Sequence, residues 1–306
     1  TGPRGRNGMT YSFAKLVGIL ARGGRVALAT LVEAGGSTPQ VPGATAIFTS
    51  AGLEAGTVGG GLLEARVEAA AKDALRDGRA VLLDIRLDAD PSDMEGAICG
   101  GTARVLVDPG AGASAAVYTA ALDGFRRRRP GLVATRVTDA GQGSVAVERR
   151  WLPAEAAAPD GSADLPPVER AAAAAALAEG RPRSVTGTDG FLFLEPVRPL
   201  PRLVVAGAGH VGRALARLGA LLDFSVTVVD DRAEFANAAH VPEADEIVAA
   251  DIGATLAALA PGPADYFVIV TRGHAKDGEA LRAVIRRESA YVGMIGSRTK
   301  IGLMRR

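Results

Sequence analysis

Apolar and polar positions along this chain repeat with two periods, and the switches between them mark its elements. Residues 11–21 carry apolar side chains every three or four positions, the spacing of a helix with one buried face. Arg25–Glu33 is a β-branched and apolar run, expected as a strand. Thr45–Thr49 and Leu53–Val58 alternate around Ser50-Ala51-Gly52, which predicts a hairpin. Leu62–Asp77 returns to helical spacing and stops at Gly78, where a C-terminal glycine belongs. Strands follow at Val81–Leu87 and Thr102–Val107, separated by an irregular loop, Asp88–Gly101. Further on, the pattern predicts a helix at 115–127, strands at 132–138 and 144–150, a helix at 167–179 and a hairpin at 183–195.

The second half has a different rhythm. Pro196, Pro199 and Pro201 fall within six residues, and a segment that can support neither helix nor ladder is expected as an extended connector. Beyond it, strands at 203–206, 226–229, 246–249, 266–270 and 291–295 alternate with helices. That alternation calls for a parallel sheet covered on both faces. The fold class is therefore α/β: a mixed α/β domain over residues 9–195, then a Rossmann-like, doubly wound domain over 196–306. Residues 1–8 precede the first interpretable element, which starts at Met9, and are set aside.

The most informative stretch opens this second domain. Arg202–Ala206 feeds Gly207-Ala208-Gly209-His210-Val211-Gly212, and the turn opens a helix ending near Leu222. Gly207 allows the tight turn, Gly209 lets the backbone approach a pyrophosphate, and Gly212 lets helix and strand pack closely. The helix N-terminus offers free N–H groups to an anion. Val226–Val229 then ends in Asp230, placed to accept from a ribose 2′-hydroxyl and so favour NAD over NADP.

Composition narrows the partners. With 35 basic and 34 acidic residues the net charge is +1, which gives no reason to expect nucleic acid or a membrane surface. No apolar run approaches the roughly 20 residues that span a bilayer. One cysteine cannot form an intrachain disulfide, so a reducing cytoplasm is the expected location. Whether the chain forms a homodimer is left open.

Three further places carry candidate chemistry. Gly59-Gly60-Gly61 follows a strand and starts a helix, so its amides can form a concave anion site; Glu64 reads either as part of that site or as a complement to the helix dipole. Cys99 precedes Gly100 and Gly101, whose bare backbone can stabilise a thiolate able to bind a soft metal. A lone cysteine is equally a small buried hydrophobe. Thr271-Arg272-Gly273-His274 with Asp277, and Gly296-Ser297-Arg298, sit where strands of a doubly wound sheet deliver their carboxyl ends. His210, His240 and His274 lack zinc-site spacing, and no Gly-x-Ser-x-Gly elbow occurs.

Taken in order, Gly36-Ser37-Thr38-Pro39, Pro42-Gly43-Ala44, Gly56–Gly61 with Glu64, Cys99-Gly100-Gly101, the Gly207–Gly212 turn, Thr271–His274 with Asp277, and Tyr291–Arg298 resemble the XdhC/CoxI family over nearly the whole chain. These are accessory factors that mature xanthine dehydrogenase and related molybdenum hydroxylases. The resemblance implies a chaperone without turnover of its own. Such a factor binds the molybdenum cofactor as molybdopterin or its dinucleotide form, aids its sulfuration with a cysteine desulfurase, and delivers it to an apo molybdenum hydroxylase. It assigns cofactor and metal binding to Cys99, with Ser37, Gly59, Gly60, Gly61, Glu64, Gly100 and Gly101 around it. In the second domain it points to Gly207, Gly209, Gly212, Arg272, His274 and Arg298, to which the Rossmann pattern itself adds Asp230. The family commonly continues past the Gly-Ser-Arg motif, so the C-terminal end is expected to be short. The alternative is an NAD(P)-dependent oxidoreductase using the Rossmann-like domain.

Overall fold

Alternating burial folds the first part of the chain into two antiparallel sheets. Its elements are α1 (Gly8–Ala21), β1 (Ala27–Gly36), β2 (Thr45–Thr49), β3 (Gly52–Gly56), α2 (Gly61–Asp77), β4 (Val81–Arg86), β5 (Gly101–Asp108), α3 (Ala115–Arg126), β6 (Gly131–Gly141), β7 (Ser144–Pro153), α4 (Ala154–Ala157), α5 (Pro167–Glu179), β8 (Arg183–Thr186) and β9 (Gly190–Val197). This computed structural model describes residues 8–87, 100–297 and 302. The chain divides into two units, Thr1–Pro199 and Leu200–Arg306.

The first sheet has the order β3-β2-β1-β5-β4 and the second β7-β6-β9-β8. Helix α2 lays Leu63, Val67 and Ala71 on one face of the first sheet, against Ala29, Leu31, Phe48, Val105 and Val107. It ends at Gly78, whose φ of 72° is left-handed and whose N–H reaches the Ala74 carbonyl. The other face of that sheet meets α1 and α3 through Leu28, Ile47, Phe13, Leu16 and Tyr118. Further along, Val32 and Leu106 pack on Val137, Phe191 and Phe193 of the second sheet.

One expectation needs correction. Pro196 does not belong to a connector: it lies in β9, opposite Leu132 of β6. Strand β8 pairs with β9 only as far as Leu194, so beyond that point β9 has β6 on one side alone. An edge position tolerates a residue without an N–H.

The second unit contains β10 (Arg202–Ala206), α6 (His210–Leu221), β11 (Ser225–Asp230), β12 (Glu246–Ala249), α7 (Ile252–Ala258), β13 (Asp265–Ile269), α8 (His274–Val284) and β14 (Tyr291–Met294). All four strand pairings are parallel, in the order β12-β11-β10-β13-β14. Val204, Ala206, Phe267 and Ile269 face α7 and α8, while Leu203, Val205, Val226 and Val228 face α6. The strand order reverses between β10 and β13, and ligand crevices of open α/β sheets form at such a switch. Among the described residues no helix is long and apolar enough to cross a membrane.

A buried charge cluster lies inside the first unit. Arg149 of β7 pairs with Asp108 at the end of β5, both almost fully covered, and its guanidinium carbon stands 5.9 Å from the centre of the Tyr118 ring. Glu195 of β9 is buried nearby, and its Oε1 has no hydrogen-bond partner among the described residues. Arg149 and Asp108 already neutralise each other, so an ionised Glu195 adds an excess charge to the core. Burial pushes its carboxyl up to about 7, against the opposing pull of Arg149. The unfolded group titrates near 4.5, so between these values the folded state holds the extra proton. Its contribution to stability is full below the lower value and is lost as pH rises through the upper one. Glu195→Gln is expected to match wild type near pH 5 and to exceed it near pH 8, by up to roughly 3 kcal/mol, in urea unfolding. An equal pH slope in both proteins would contradict a buried, proton-holding Glu195.

Candidate functional site

In the first unit, glycine brings three loops to one end of the first sheet. Gly36 ends β1 with φ 70° and stands opposite Gly101 of β5. A Cβ on Gly101 would lie 2.3 Å from the Ser37 carbonyl oxygen and 2.7 Å from that of Gly35, so no other residue fits. A Cβ on Gly59 would lie 2.6 Å from Pro39 Cγ. The segments Gly35–Pro39, Gly59–Gly61 and Gly100–Gly101 are therefore neighbours. Around the Cβ positions of Gly60, Gly61 and Gly100, by contrast, no atom of the described residues lies within 4 Å. Gly60 is half-buried, its carbonyl accepting from the Glu64 N–H, while Gly61, Gly100 and Ser37 are exposed.

Glu64 has a local task. Its Oε2 accepts from the Thr57 hydroxyl at 2.7 Å and from the Val58 N–H at 3.3 Å, which ties the loop to the first turn of α2. Cys99, the residue before Gly100, lies outside the described residues.

Beside this cluster the face of β1, β5 and β4 carries a groove of about 520 Å³ that sequence reasoning missed. Arg104 crosses it, donating from Nε to Asp84 at 2.7 Å and from Nη1 to Glu33 at 3.2 Å; Arg86 and Thr102 also line it. The available signal was polar side chains at every second position, Asp84 and Arg86 on one strand and Thr102 and Arg104 on the next.

In the second unit, the three glycines of the turn separate by role. Gly207 has φ 113°, and a Cβ there would lie 2.6 Å from the Val270 carbonyl oxygen. On Gly212 it would lie 1.8 Å from the Gly207 oxygen. Both are glycine because main chain approaches main chain. Gly209 has an ordinary φ of −68°, and no atom of the described residues lies within 4 Å of its Cβ position. Neither packing nor conformation demands glycine there, and the gap suits a ligand's close approach to the backbone.

Asp230 is buried and fully engaged. Its Oδ2 accepts from the Ala208 N–H at 2.7 Å and from Arg232 Nη2 at 2.9 Å; its Oδ1 accepts from the Arg232 N–H at 3.0 Å and from Nε at 2.9 Å. Burial alone would raise this carboxyl, but the Arg232 guanidinium and the two amides hold it below the usual carboxylate range. Arg232 in turn lies over the Phe235 ring, 4.1 Å from its centre. His240 Nε2 stands 3.0 Å from the Ala208 carbonyl oxygen. Asp231 pairs with Lys276 in the first turn of α8.

The Thr271–Asp277 segment follows β13 and touches Gly207 at Val270 and Thr271. Thr271 donates to the buried Asp277 at 2.6 Å, so Asp277 fixes the loop from within. Arg272 is exposed on the same loop and His274 opens α8. Ser297 lies past β14, and Arg298 lies outside the described residues. Gly207, Gly209, Arg272 and His274 thus share the strand-carboxyl edge at the β10–β13 switch.

Comparison with known proteins matches part of the first unit and nearly all of the second. Residues 203–306 match the XdhC Rossmann domain, and residues 19–86 match the XdhC and CoxI family. Over 117 residues the chain is 37% identical to the uncharacterized protein YqeB of Escherichia coli (strain K12), a match that covers 38% of this chain and 21% of that protein. Over 111 residues it is 32% identical to a probable xanthine dehydrogenase subunit of Bacillus subtilis (strain 168), covering 36% of this chain and 34% of that one. The chain therefore matches about a fifth and a third of these relatives' lengths. A crystal structure described as a xanthine dehydrogenase from Bacillus halodurans superposes with a TM-score of 0.70 over 95% of this chain and 84% of its own, at 21% identity, and shares the fold.

The division of labour among the glycines is testable by unfolding. Gly212→Ala is expected to destabilise the protein by about 1–3 kcal/mol, because its Cβ meets backbone that cannot move aside. Gly209→Ala is expected to stay within about 0.5 kcal/mol of wild type. Equal losses at the two positions would remove the distinction between packing and ligand-facing glycine.

Proposed function

The chain belongs to the XdhC and CoxI family, and on that footing we propose that it is an accessory factor in the maturation of a xanthine dehydrogenase-type molybdenum hydroxylase. In this reading the first unit binds the molybdenum cofactor, works with a cysteine desulfurase during its sulfuration, and passes it to the apo-hydroxylase. The chain has no turnover of its own. One observation carries the proposal: three glycine-rich loops meet at a single sheet end, where no atom of the described residues fills the side-chain positions of Gly60, Gly61 and Gly100.

The chemistry of the donor set fits such a guest. Bare amides at the start of a 17-residue helix suit the phosphate of a pterin cofactor. The Ser37 hydroxyl adds a donor at the same end. Cys99, adjoining Gly100 in sequence, would supply a thiolate for a soft, sulfur-ligated metal. When bound, the cofactor supplies the metal and sulfur chemistry of the client enzyme. Glu64 holds the loop's shape, and Arg104 with Asp84 and Glu33 lines the adjoining groove.

A second reading, an NAD(P)-dependent role for the second unit, is favoured by the unfilled space at Gly209 beside the β10–β13 switch. It cannot rest on Asp230 as drawn from sequence, because that carboxylate is spent on Ala208 and Arg232. NADH and NADPH titrations followed by fluorescence test it, and absence of binding at millimolar nucleotide would remove it.

For the leading reading, wild-type protein purified from cells making the cofactor is expected to retain pterin and molybdenum. Cys99→Ala is expected to lose at least nine-tenths of both, with an unchanged thermal unfolding curve. Retention equal to wild type would remove Cys99 from the site.

A further inference from the structure

The groove crossed by Arg104 lies on the face of the first sheet turned away from α2, at the end where the three glycine-rich loops meet. Two cross-strand rows form its floor: Asp84, Arg104 and Glu33 in one, Arg86, Thr102 and Gly35 in the next. The first row depends on a bulge. The register shifts between Leu31 and Glu33, so Val32 and Glu33 both turn away from α2, where simple alternation would send Glu33 towards it. Bulges that re-aim one side chain in this way are over-represented beside active sites. The ion pairs also leave capacity unused. Arg104 spends three of its five N–H groups: Nε at 2.7 Å and Nη2 at 3.4 Å on Asp84, and Nη1 at 3.2 Å on Glu33. One N–H on each terminal nitrogen remains. Glu33 accepts through Oε2, and neither its Oε1 nor the Thr102 hydroxyl has a hydrogen-bond partner among the described residues.

The charges select a class of ligand. Glu33 and Asp84 beside the guanidinium disfavour a phosphate, and Arg86 with Arg104 disfavours a simple cation. Balanced charges of both signs suit a neutral group that donates along one edge and accepts along the next. We propose that the groove holds the ring of a 2-amino-4-oxopteridine, the pterin of the cofactor. Glu33 accepts from its 2-amino and N3–H edge, and the two spare Arg104 N–H groups donate to O4 and N5. This assignment rests on the reading that the first unit carries that cofactor. The O4 and N5 edge of a pterin repeats the O6 and N7 edge of guanine, for which an arginine fork is the commonest specific contact. A cavity of about 520 Å³ lies within the roughly 300–1,000 Å³ of small-molecule sites. Gly35 leaves the floor of the groove without a side chain. A Cβ there would lie 2.8 Å from Thr102 Oγ1, so glycine at 35 also keeps that hydroxyl in place.

Free pterin is fluorescent, and titrating it against lumazine, the 2,4-dioxo ring, reads the recognised edge directly. Wild type is expected to bind pterin at least about tenfold more tightly, because lumazine offers an oxygen where pterin donates an amino group. Glu33→Gln, whose amide can face either a donor or an acceptor, is expected to abolish that preference. Arg104→Met is expected to weaken both ligands at least about tenfold. Unfolding curves of both variants serve as the folding control, since the pairs they break are on the surface. Equal binding of the two rings by wild type, or a preference that survives Glu33→Gln, would overturn the proposal. So would a tighter hold on guanosine, measured by displacement of pterin, which would assign the groove to a guanine nucleotide. Retention of pterin and molybdenum by purified wild type is measured separately. Wild type that retains the cofactor without preferring pterin removes the groove and leaves the maturation reading standing; the preference without retained cofactor supports the groove and removes that reading.

Discussion

Main chain lies against main chain at one sheet end of each unit, and only glycine allows it. In the first unit the Ser37 and Gly35 carbonyl oxygens close on Gly101; in the second, the Gly207 carbonyl closes on Gly212 and the Val270 carbonyl on Gly207. A methyl group at any of these positions would occupy space already filled by backbone, which cannot rotate away as a side chain can. These contacts hold the loops in place beside glycines whose side-chain positions the described residues leave empty. Gly60 and Gly61 are held to glycine by left-handed φ of 72° and 55° rather than by crowding, whereas Gly209 has an ordinary φ of −68°.

Much of this architecture was legible in the residue pattern. The strand at 246–249 and the helix at 167–179 have the expected bounds, and the parallel sense of the second sheet follows from alternating strands and helices. Two things escaped for physical reasons. Proline at 196 argues against a ladder in general, yet pairing is tolerated where a strand has one neighbour, and the end of β8 is a tertiary fact with no local signature. The apolar period of α6 correctly announces a helix, but not which side is buried. Periodicity assumes that the large apolar residues face the core, whereas here close approach to β10 selects glycine and alanine, and Leu218, Leu221 and Leu222 are exposed while Leu215 alone of the leucines packs inward.

The candidate sites were legible in the same partial way. Glycine clusters mark where backbone is bare or crowded, and sequence cannot separate the two; the space around each Cβ position does, dividing Gly209 from Gly212 within one turn. Acids are harder still. Glu64 and Asp230 both looked available for a ligand, yet each is engaged by neighbouring donors of its own loop. Arg232, the group that engages Asp230, lies only two positions away in sequence, and nothing in the pattern announced its return onto the carboxylate. The groove crossed by Arg104 was hidden because its walls come from three strands far apart in the chain.

The proline at the end of β9 has a further consequence. Beyond Leu194 one margin of β9 has no strand partner, yet Glu195, Pro196 and Val197 are all buried there. A buried main-chain donor without an acceptor is costly, and the ring nitrogen of Pro196 carries no hydrogen that would need one. The residue that ordinarily discourages strands from forming thus lets this one run on past the end of its neighbour inside the core.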